Sequence, residues 1–340
     1  MLTELNYAYG KPEASGHLKA SPEDFAVDEI LGFTLSGVGE HLFVQIEKTM
    51  LTTEEMATFI AKTLHLPFRA VSYAGLKDKY AITTQWFSLH LPGQADPNLE
   101  ALNTNQSKVL QSMRHDKKLK IGALQGNRFT IRVSQFEGDK EALLDRVDRV
   151  KQTGIPNYFG TQRFGNQGGN LERARTLLFE NKKVKSRHLR GLYLSAARSF
   201  LFNEIVSRRV QMQCWNKALS GDLMMLSGTN SVFAAEQVDE VLIERVASHD
   251  ISPAAPLWGE GEERLTADAK VMQDDALEPW HDWLHALEAQ RLRKSYRSMV
   301  LLPESFSFND DVFTFGLPKG SFATVVLREL CHTPTVGAGS

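Results

Sequence analysis

The sequence predicts an α+β protein made of two domains. Segments that alternate apolar and polar residues, as strands do, are interleaved with segments whose apolar residues recur at helical spacing, in no repeating order. A chain of 340 residues is long enough for two hydrophobic cores. The stretch from Gly154 through Ile155, Pro156, Asn157, Tyr158 and Phe159 to Gly160 marks a change of texture, beyond which helix-like segments dominate as far as Pro303. The expected division is a discontinuous domain over 1–153 and 304–340, interrupted by an inserted domain over 154–303.

Taken in order, Ser21-Pro22-Glu23-Asp24 reads as a turn or helix start, and Phe25 to Ile30 alternates as a strand. His41 to Lys48 alternates again, with Leu42, Val44 and Ile46 on one face. Thr52 and Glu55 have the spacing of a capping box, opening a helix striped by Met56, Phe59, Ile60 and Leu64 before Pro67 prevents its continuation. Val71 and Tyr73 end a strand. Ile82 to Leu91 forms the next, with Phe87, Leu89 and Leu91 on one side and Trp86, Ser88 and His90 on the other. Pro92 to Pro97 is a loop. Asn127, Phe129, Ile131 and Val133 share the face of a further strand, followed by a helix with Leu143, Val147 and Val150 in register. Helices are then expected from Asn170, over Leu194 to Val210 and over Val238 to Val246, with Gly and Pro clustered between Ser252 and Gly261. Alternation returns after Pro303 (Phe306, Phe308; Phe313, Phe315), and the chain finishes in an apolar helix and a tail, Thr333 to Ser340, with little to pack.

Composition excludes several classes. Cys214 and Cys331 are far apart and lack metal-ligand spacing, so they read as reduced thiols of a cytosolic protein. No apolar run reaches the length of a membrane span, and Met1 to Pro12 lacks a basic start followed by a hydrophobic core, so a cytoplasmic location is expected. The net charge of −2 counts mildly against a nucleic-acid binder. Its distribution is uneven, however, with basic runs at Arg114 to Lys120, Lys182 to Arg190 and Arg291 to Arg297. Such runs on an acidic background would suit a localised phosphate-binding surface. There is no Gly-x-x-x-x-Gly-Lys phosphate loop and no cluster of metal ligands.

Between the strands ending at Tyr73 and beginning at Ile82, Gly75 permits a tight change of direction, and Asp78 stands between Lys77 and Lys79 at the tip. Strands would fix that acid while the loop leaves it exposed. Alone, a Lys-Asp-Lys turn reads as a solvated loop. Here Gly75, Lys77, Asp78, Lys79, Ala81, Thr83 and Gln85 resemble the Gly-x-Lys-Asp-Lys-x-Ala-x-Thr-x-Gln signature of the TruD family of tRNA pseudouridine synthases. Lys19 to Phe25 is similar to the family's first motif. Arg114-His115, Lys118-Leu119, Gly122, Leu124, Gly126-Asn127 and Phe129 resemble its third. Pro156 to Gly165 is similar to the opening of the family's inserted TRUD domain, and Pro318, Gly320, Ser321, Phe322, Ala323 and Thr324 to its C-terminal motif. Little between about 205 and 300 can be matched residue by residue.

The resemblance implies a catalytic domain with a mixed, mainly antiparallel sheet, an inserted α+β TRUD domain, and isomerisation of a uridine within tRNA, by resemblance at position thirteen of the D arm, chiefly in glutamate tRNA. In that reaction the bond from ribose to N1 breaks, the freed uracil turns in place and C5 bonds to the sugar. No group enters or leaves, so no cofactor and no metal are implied. Asp78 matches the catalytic carboxylate, acting either as a nucleophile or as a base toward the ribose. Phe129 matches the ring that would stack on uracil, with Asn127 on its face of the strand, while Phe25 and Phe322 match further pocket positions. The amide of Asn127 can both donate and accept, as a uracil edge requires. Lys19, Lys77 and Lys79 are candidates for counter-charge. Arg114, His115, Lys118 and Arg163 are candidates for RNA contact, although Tyr158, Phe159, Arg163 and Phe164 could equally pack between domains. The implied partner is tRNA, with no membrane, no obligate protein partner and a monomer as the default.

Two other readings follow from the same residues. One is a non-catalytic RNA-binding or RNA-chaperone protein on this scaffold, against which the retained Asp78 argues. The other is a hydrolase pairing Asp78 with Glu23 or Asp24, which would release free uracil. Adjacent carboxylates seldom converge on one bond, and capping a turn is the simpler role for Glu23 and Asp24.

Overall fold

A computed structural model describes residues 4–180 and 182–333. The tail that the sequence leaves with little to pack falls, beyond Thr333, outside the described residues. Strands β1 (Ser15–Leu18), β2 (Phe25–Leu31) and β3 (His41–Thr49) precede helix α1 (Thr53–Thr63). Then come β4 (Val71–Tyr73), β5 (Ile82–His90), β6 (Ser107–His115), β7 (Leu124–Glu137) and helix α2 (Lys140–Thr153). The middle of the chain carries β8 (Ile155–Pro156), α3 (Gly169–Phe179), α4 (Arg187–Gln211), β9 (Asp222–Leu226), β10 (Val232–Ala235) and α5 (Glu240–Ala247). It continues through β11 (Ile251–Leu257), α6 (Ala267–Leu277), α7 (His281–Glu288), β12 (Ser295–Ser298) and β13 (Val300–Leu301). β14 (Glu304–Asn309), β15 (Val312–Pro318) and α8 (Ala323–Leu330) close the chain.

These elements form two compact units. One contains residues 13–147, 303–323 and the last described residues; the other contains 148–302, the first described residues as far as Pro12, and 324–330. The first unit is built on a sheet of nine strands in the order β14-β15-β7-β2-β5-β3-β6, with β1 also on β7 and β4 also on β5. Only the β2–β5 pairing is parallel, so the sheet is mixed and mainly antiparallel. Leu42, Val44 and Ile46 of β3 and Phe87 and Leu89 of β5 pack with Met56, Ala57 and Ile60 of α1 in one core layer. The alternation read in β5 is correct, but its other side is not solvated. Trp86 is covered by Phe43, Leu119 and Leu124, so both faces of that strand are buried. Central strands closed on both faces lose the polar half of their pattern.

Strand β6 escapes a sequence reading because, as an edge strand, it is largely exposed and polar between Ser107 and His115. The second unit holds a four-stranded antiparallel sheet, β10-β9-β11-β12, and the short β8–β13 pair. Of these strands the Gly- and Pro-rich pattern gave no sign, since β11 itself contains Pro253 and Pro256. The long helix α4 buries Leu194, Ala197, Leu201, Ile205 and Val206. Its first turn incorporates Arg187 and Arg190 of the second basic run, so the helix starts earlier than its apolar stripe suggests.

Candidate active site

The loop from Gly75 to Ala81 joins β4 to β5 and is fastened at several points before Asp78 is considered. The amide of Gln85 donates to the Gly75 carbonyl at 2.7 Å. The hydroxyl of Thr53 donates to the Gln85 side-chain oxygen and accepts from the Lys77 backbone N–H, both at 2.9 Å. Lys77 then turns inward. Its Nζ lies 2.8 Å from Glu29, whose other carboxylate oxygen accepts the Trp86 backbone N–H at 2.9 Å. Lys79 goes the other way and meets Glu55 at 3.0 Å on the surface of α1. Neighbouring side chains on an extended loop diverge, so each lysine finds a separate acid.

Asp78 is left at the tip between these two anchors. Its carboxylate, half exposed, is met by Lys19 Nζ at 2.7 Å. Lys19 adopts φ of 57°, a left-handed conformation that a lysine rarely takes without compensation from its surroundings. The same ammonium lies 4.2 Å from the centroid of the Phe25 ring, a cation–π contact that fixes it from beneath. Phe25 stands edge-on to Phe129 at 6.3 Å between centroids, and Phe129 stacks on Phe315 at 5.5 Å. Lys19 thus links the carboxylate to an aromatic floor.

Sheet register explains why those rings meet. Val27 lies opposite Phe129, which lies opposite Phe315; Phe25 lies opposite Ile131, and Glu29 opposite Asn127. Paired residues point to the same face. The row that includes Phe129 continues through Val27 and Thr83 to Lys48 of β3. The side-chain oxygen of Asn127 is buried and has no hydrogen-bond partner among the described residues. A buried carbonyl oxygen without a donor is costly, and it is suited to an N–H supplied from outside. Phe322 stands half-buried in the turn between β15 and α8, close in sequence to Lys319, which bonds back to Gln125 and Gly122.

Of the sequence-derived candidates, the structure brings Lys19 to Asp78 and Phe25 to Phe129. Lys77 and Lys79 are committed to Glu29 and Glu55 instead. The guanidinium of Arg114 is taken up by Asp96 at 2.6 Å and by the carbonyls of Gln94, Leu91 and Gly39. That makes it the clasp of the Pro92 to Pro97 loop. His115 is buried, stacked on Phe33 and bonded to Ser36. Lys118 is exposed. Arg163 belongs to the other unit, where it stacks on Phe159 at 5.2 Å. Asp24 accepts the Ser21 backbone N–H at 2.9 Å, and Glu23 is held below the usual carboxylate range by its own backbone N–H and Ser21, so both serve the turn before β2.

Two residues were missed. Glu29 is the buried acid that holds Lys77. Lys48, also buried, donates to the Leu51 carbonyl at 2.6 Å. Burial lowers its pKa to about 8, helped by Lys77 and opposed by Asp78, Glu55 and Glu29. Each sits at an inward position of an alternating strand, after Phe25 and Val27 or after Val44 and Ile46. A charge in that place is the signal that could have found them.

The family model for tRNA pseudouridine synthase D (TruD) matches residues 2–183 and 180–330. The tRNA pseudouridine synthase D of Legionella pneumophila (strain Lens) is 43% identical over 328 residues, covering 95% of this chain and 97% of that protein. That of Aeromonas hydrophila subsp. hydrophila is 42% identical over 343 residues, covering 100% and 97%. A crystal structure from Methanosarcina mazei, described as a tRNA pseudouridine synthase D (TruD), shares the fold with a TM-score of 0.73 at 21% identity, over 96% of this chain and 95% of that one. With a full-length family match and relatives above 40% identity behind it, this chain belongs to the TruD family of tRNA pseudouridine synthases.

Proposed function

We propose that this protein converts uridine to pseudouridine in tRNA without a cofactor, at position thirteen of the D arm and chiefly in glutamate tRNA, with Asp78 as the reacting carboxylate. The observation that carries the reading is the Lys19–Asp78 pair, 2.7 Å apart, fixed above Phe25 beside Phe129. The carboxylate, half exposed and held at hydrogen-bond distance by an ammonium, is placed either to attack the ribose or to take a proton from it. The target base must leave its stack, which costs a few kcal/mol and calls for an aromatic partner and edge hydrogen bonds. Phe129 offers the first, and the unpartnered oxygen of Asn127 is available to a uracil N–H. After the N1 bond breaks, the base turns and C5 bonds to the same sugar carbon, the proton from C5 being balanced by one gained at N1. In this reading residues 154–303 form the inserted TRUD domain, and the protein works as a monomer in the cytoplasm.

The test is to incubate unmodified glutamate tRNA transcript with wild-type protein and with Asp78→Asn, and then to map modified uridines. Pseudouridine at position thirteen from the wild type and none from the variant is the expected result. Modification by both proteins would overturn the role of Asp78, and free uracil in the supernatant would indicate hydrolysis instead.

A further inference from the structure

We propose that Arg198 and Arg297, with Arg163 beside them, form a phosphate-binding site for the RNA backbone within the unit that contains residues 148–302. The inference rests on tRNA being the substrate. Helix α4 presents Ser195, Arg198 and Phe202 along one side, spaced three and four residues apart. Strand β12 turns Ser295 and Arg297 toward that helix, because alternate residues share a face. Arg198 bonds to the Ser295 hydroxyl at 3.1 Å, and Arg297 lies 5.7 Å from the Phe202 ring. Phe159 is the common support, with the Arg297 guanidinium 4.3 Å and that of Arg163 5.2 Å from its centroid.

Arg297 closes the basic run that begins at Arg291, and what distinguishes this group from the rest of the basic runs is the character of its partners. Arg297 bonds to the side-chain oxygen of Asn157 at 2.5 Å. Arg198 bonds to the carbonyls of Leu257 and Arg293 at 2.7 and 2.9 Å, and its Nε is buried with no acceptor. Among the described residues neither arginine is paired with a carboxylate, although the chain places most of its other inward cations on acids. Lys77 has Glu29 and Arg209 has Asp222. Burial lowers the pKa of Arg198, and that of Arg297 to about 10, the latter with help from the like charge of Arg163. Holding the guanidinium groups of Arg198 and Arg297 in a half-buried place with no carboxylate beside them is unfavourable. Their planar forks and remaining N–H donors match a phosphodiester. Glu263 is taken up instead by Lys294, the residue before β12, at 3.6 Å.

Equilibrium binding of tRNA transcript to the full chain should be measured across a range of salt concentrations. In Arg297→Gln, affinity should fall about tenfold, and the slope of log affinity against log salt should become less steep by about one. Arg297→Lys should restore the slope but not the full affinity, since an ammonium lacks the fork. A folded Arg297→Gln protein, verified by its thermal unfolding, that binds with wild-type slope and affinity would overturn the site. Should that variant not fold, phenylglyoxal labelling of the wild type decides: suppression of labelling at Arg198 and Arg297 by tRNA supports the site, and equal labelling with and without tRNA overturns it. The chemistry is read separately. A wild type that makes no pseudouridine while the slope still responds to Arg297→Gln sinks the proposed reaction and leaves the phosphate site standing; pseudouridine formation with an unchanged slope does the reverse.

Discussion

Glu29 and Lys77 are a pair in which neither side chain has more than a trace of solvent contact, at 0% and 7% exposure. Removing one member of such a pair strands the other. Glu29→Ala is therefore expected to cost about 3–5 kcal/mol of stability, while the double change Glu29→Leu with Lys77→Met should recover most of it. Chemical unfolding of the two variants beside the wild type is the check. Lys48 gives a pH-dependent counterpart. Its folded pKa, about 8, lies below the ordinary lysine value of 10.5. The unfolded chain thus holds more protons between those limits, and stability rises with pH across that window as the burial penalty is relieved. Unfolding free energies measured from pH 7 to 10.5 should climb by up to about 3 kcal/mol more in the wild type than in Lys48→Met.

At the scale of elements, α1 does two jobs through one residue. Glu55 closes the capping box, accepting the Thr52 backbone N–H at 2.7 Å, and also receives Lys79. Thr52→Ala should cost about 1 kcal/mol in thermal unfolding. The carboxyl of Glu55 is held down to about 2, first by the Thr52 backbone, so this support is present above its ordinary value of 4.5 and fades as pH falls toward 2. Strand β7 depends on Gly126 for a different reason. A Cβ there would run into the Leu317 carbonyl across the β7–β15 pairing. Gly126→Ala should therefore disturb the register that aligns Asn127 and Phe129, lowering pseudouridine formation at a given tRNA concentration by tenfold or more.

Much of the first unit was legible because its signals are local. The capping box of α1 and the alternation of β2, β3, β5, β7, β14 and β15 follow from residue order, and the motif around Asp78 carries the family resemblance. Among Lys19, Lys77 and Lys79, all three candidates from the sequence, residue order does not say which one meets Asp78. The two beside it in sequence are claimed by Glu29 and Glu55, and the one that reaches it comes from the turn after β1. The second unit was read poorly because its sheet uses short strands, one of them carrying two prolines, whose burial depends on α4 rather than on their own pattern. Arg297 lies in a run that the sequence offers as part of a phosphate-binding surface, and its contact with Phe159 is what the residue order does not reveal.

At the scale of the whole molecule, the middle of the chain does not form its unit alone. Asn6 donates through its backbone N–H and its side chain to Ser207 of α4, each at 3.0 Å, and its carbonyl accepts from Tyr158 at 3.0 Å. Ala8 donates to Glu329 of α8, also at 3.0 Å. A chain lacking its first ten residues should lose these bonds together. Limited proteolysis is expected to show faster cleavage within 148–302 and little change in 13–147. Near-neutral net charge tells nothing of this arrangement, since charges serve as buried ion pairs in one place, as at Lys77 and Glu29, and as arginines bonded to carbonyl and amide oxygens in another, as at Arg198 and Arg297.

The Lys19–Asp78 contact spans 59 positions of sequence, and the floor beside it is completed by Phe315 of β15, near the end of the chain. During translation, Asp78 leaves the ribosome long before Phe315, the last ring of that floor, has been synthesised. A nascent polypeptide stalled ahead of β15 would carry every motif residue up to the insert and still have no competent centre, so activity should switch on only once the last strand has emerged and joined the sheet.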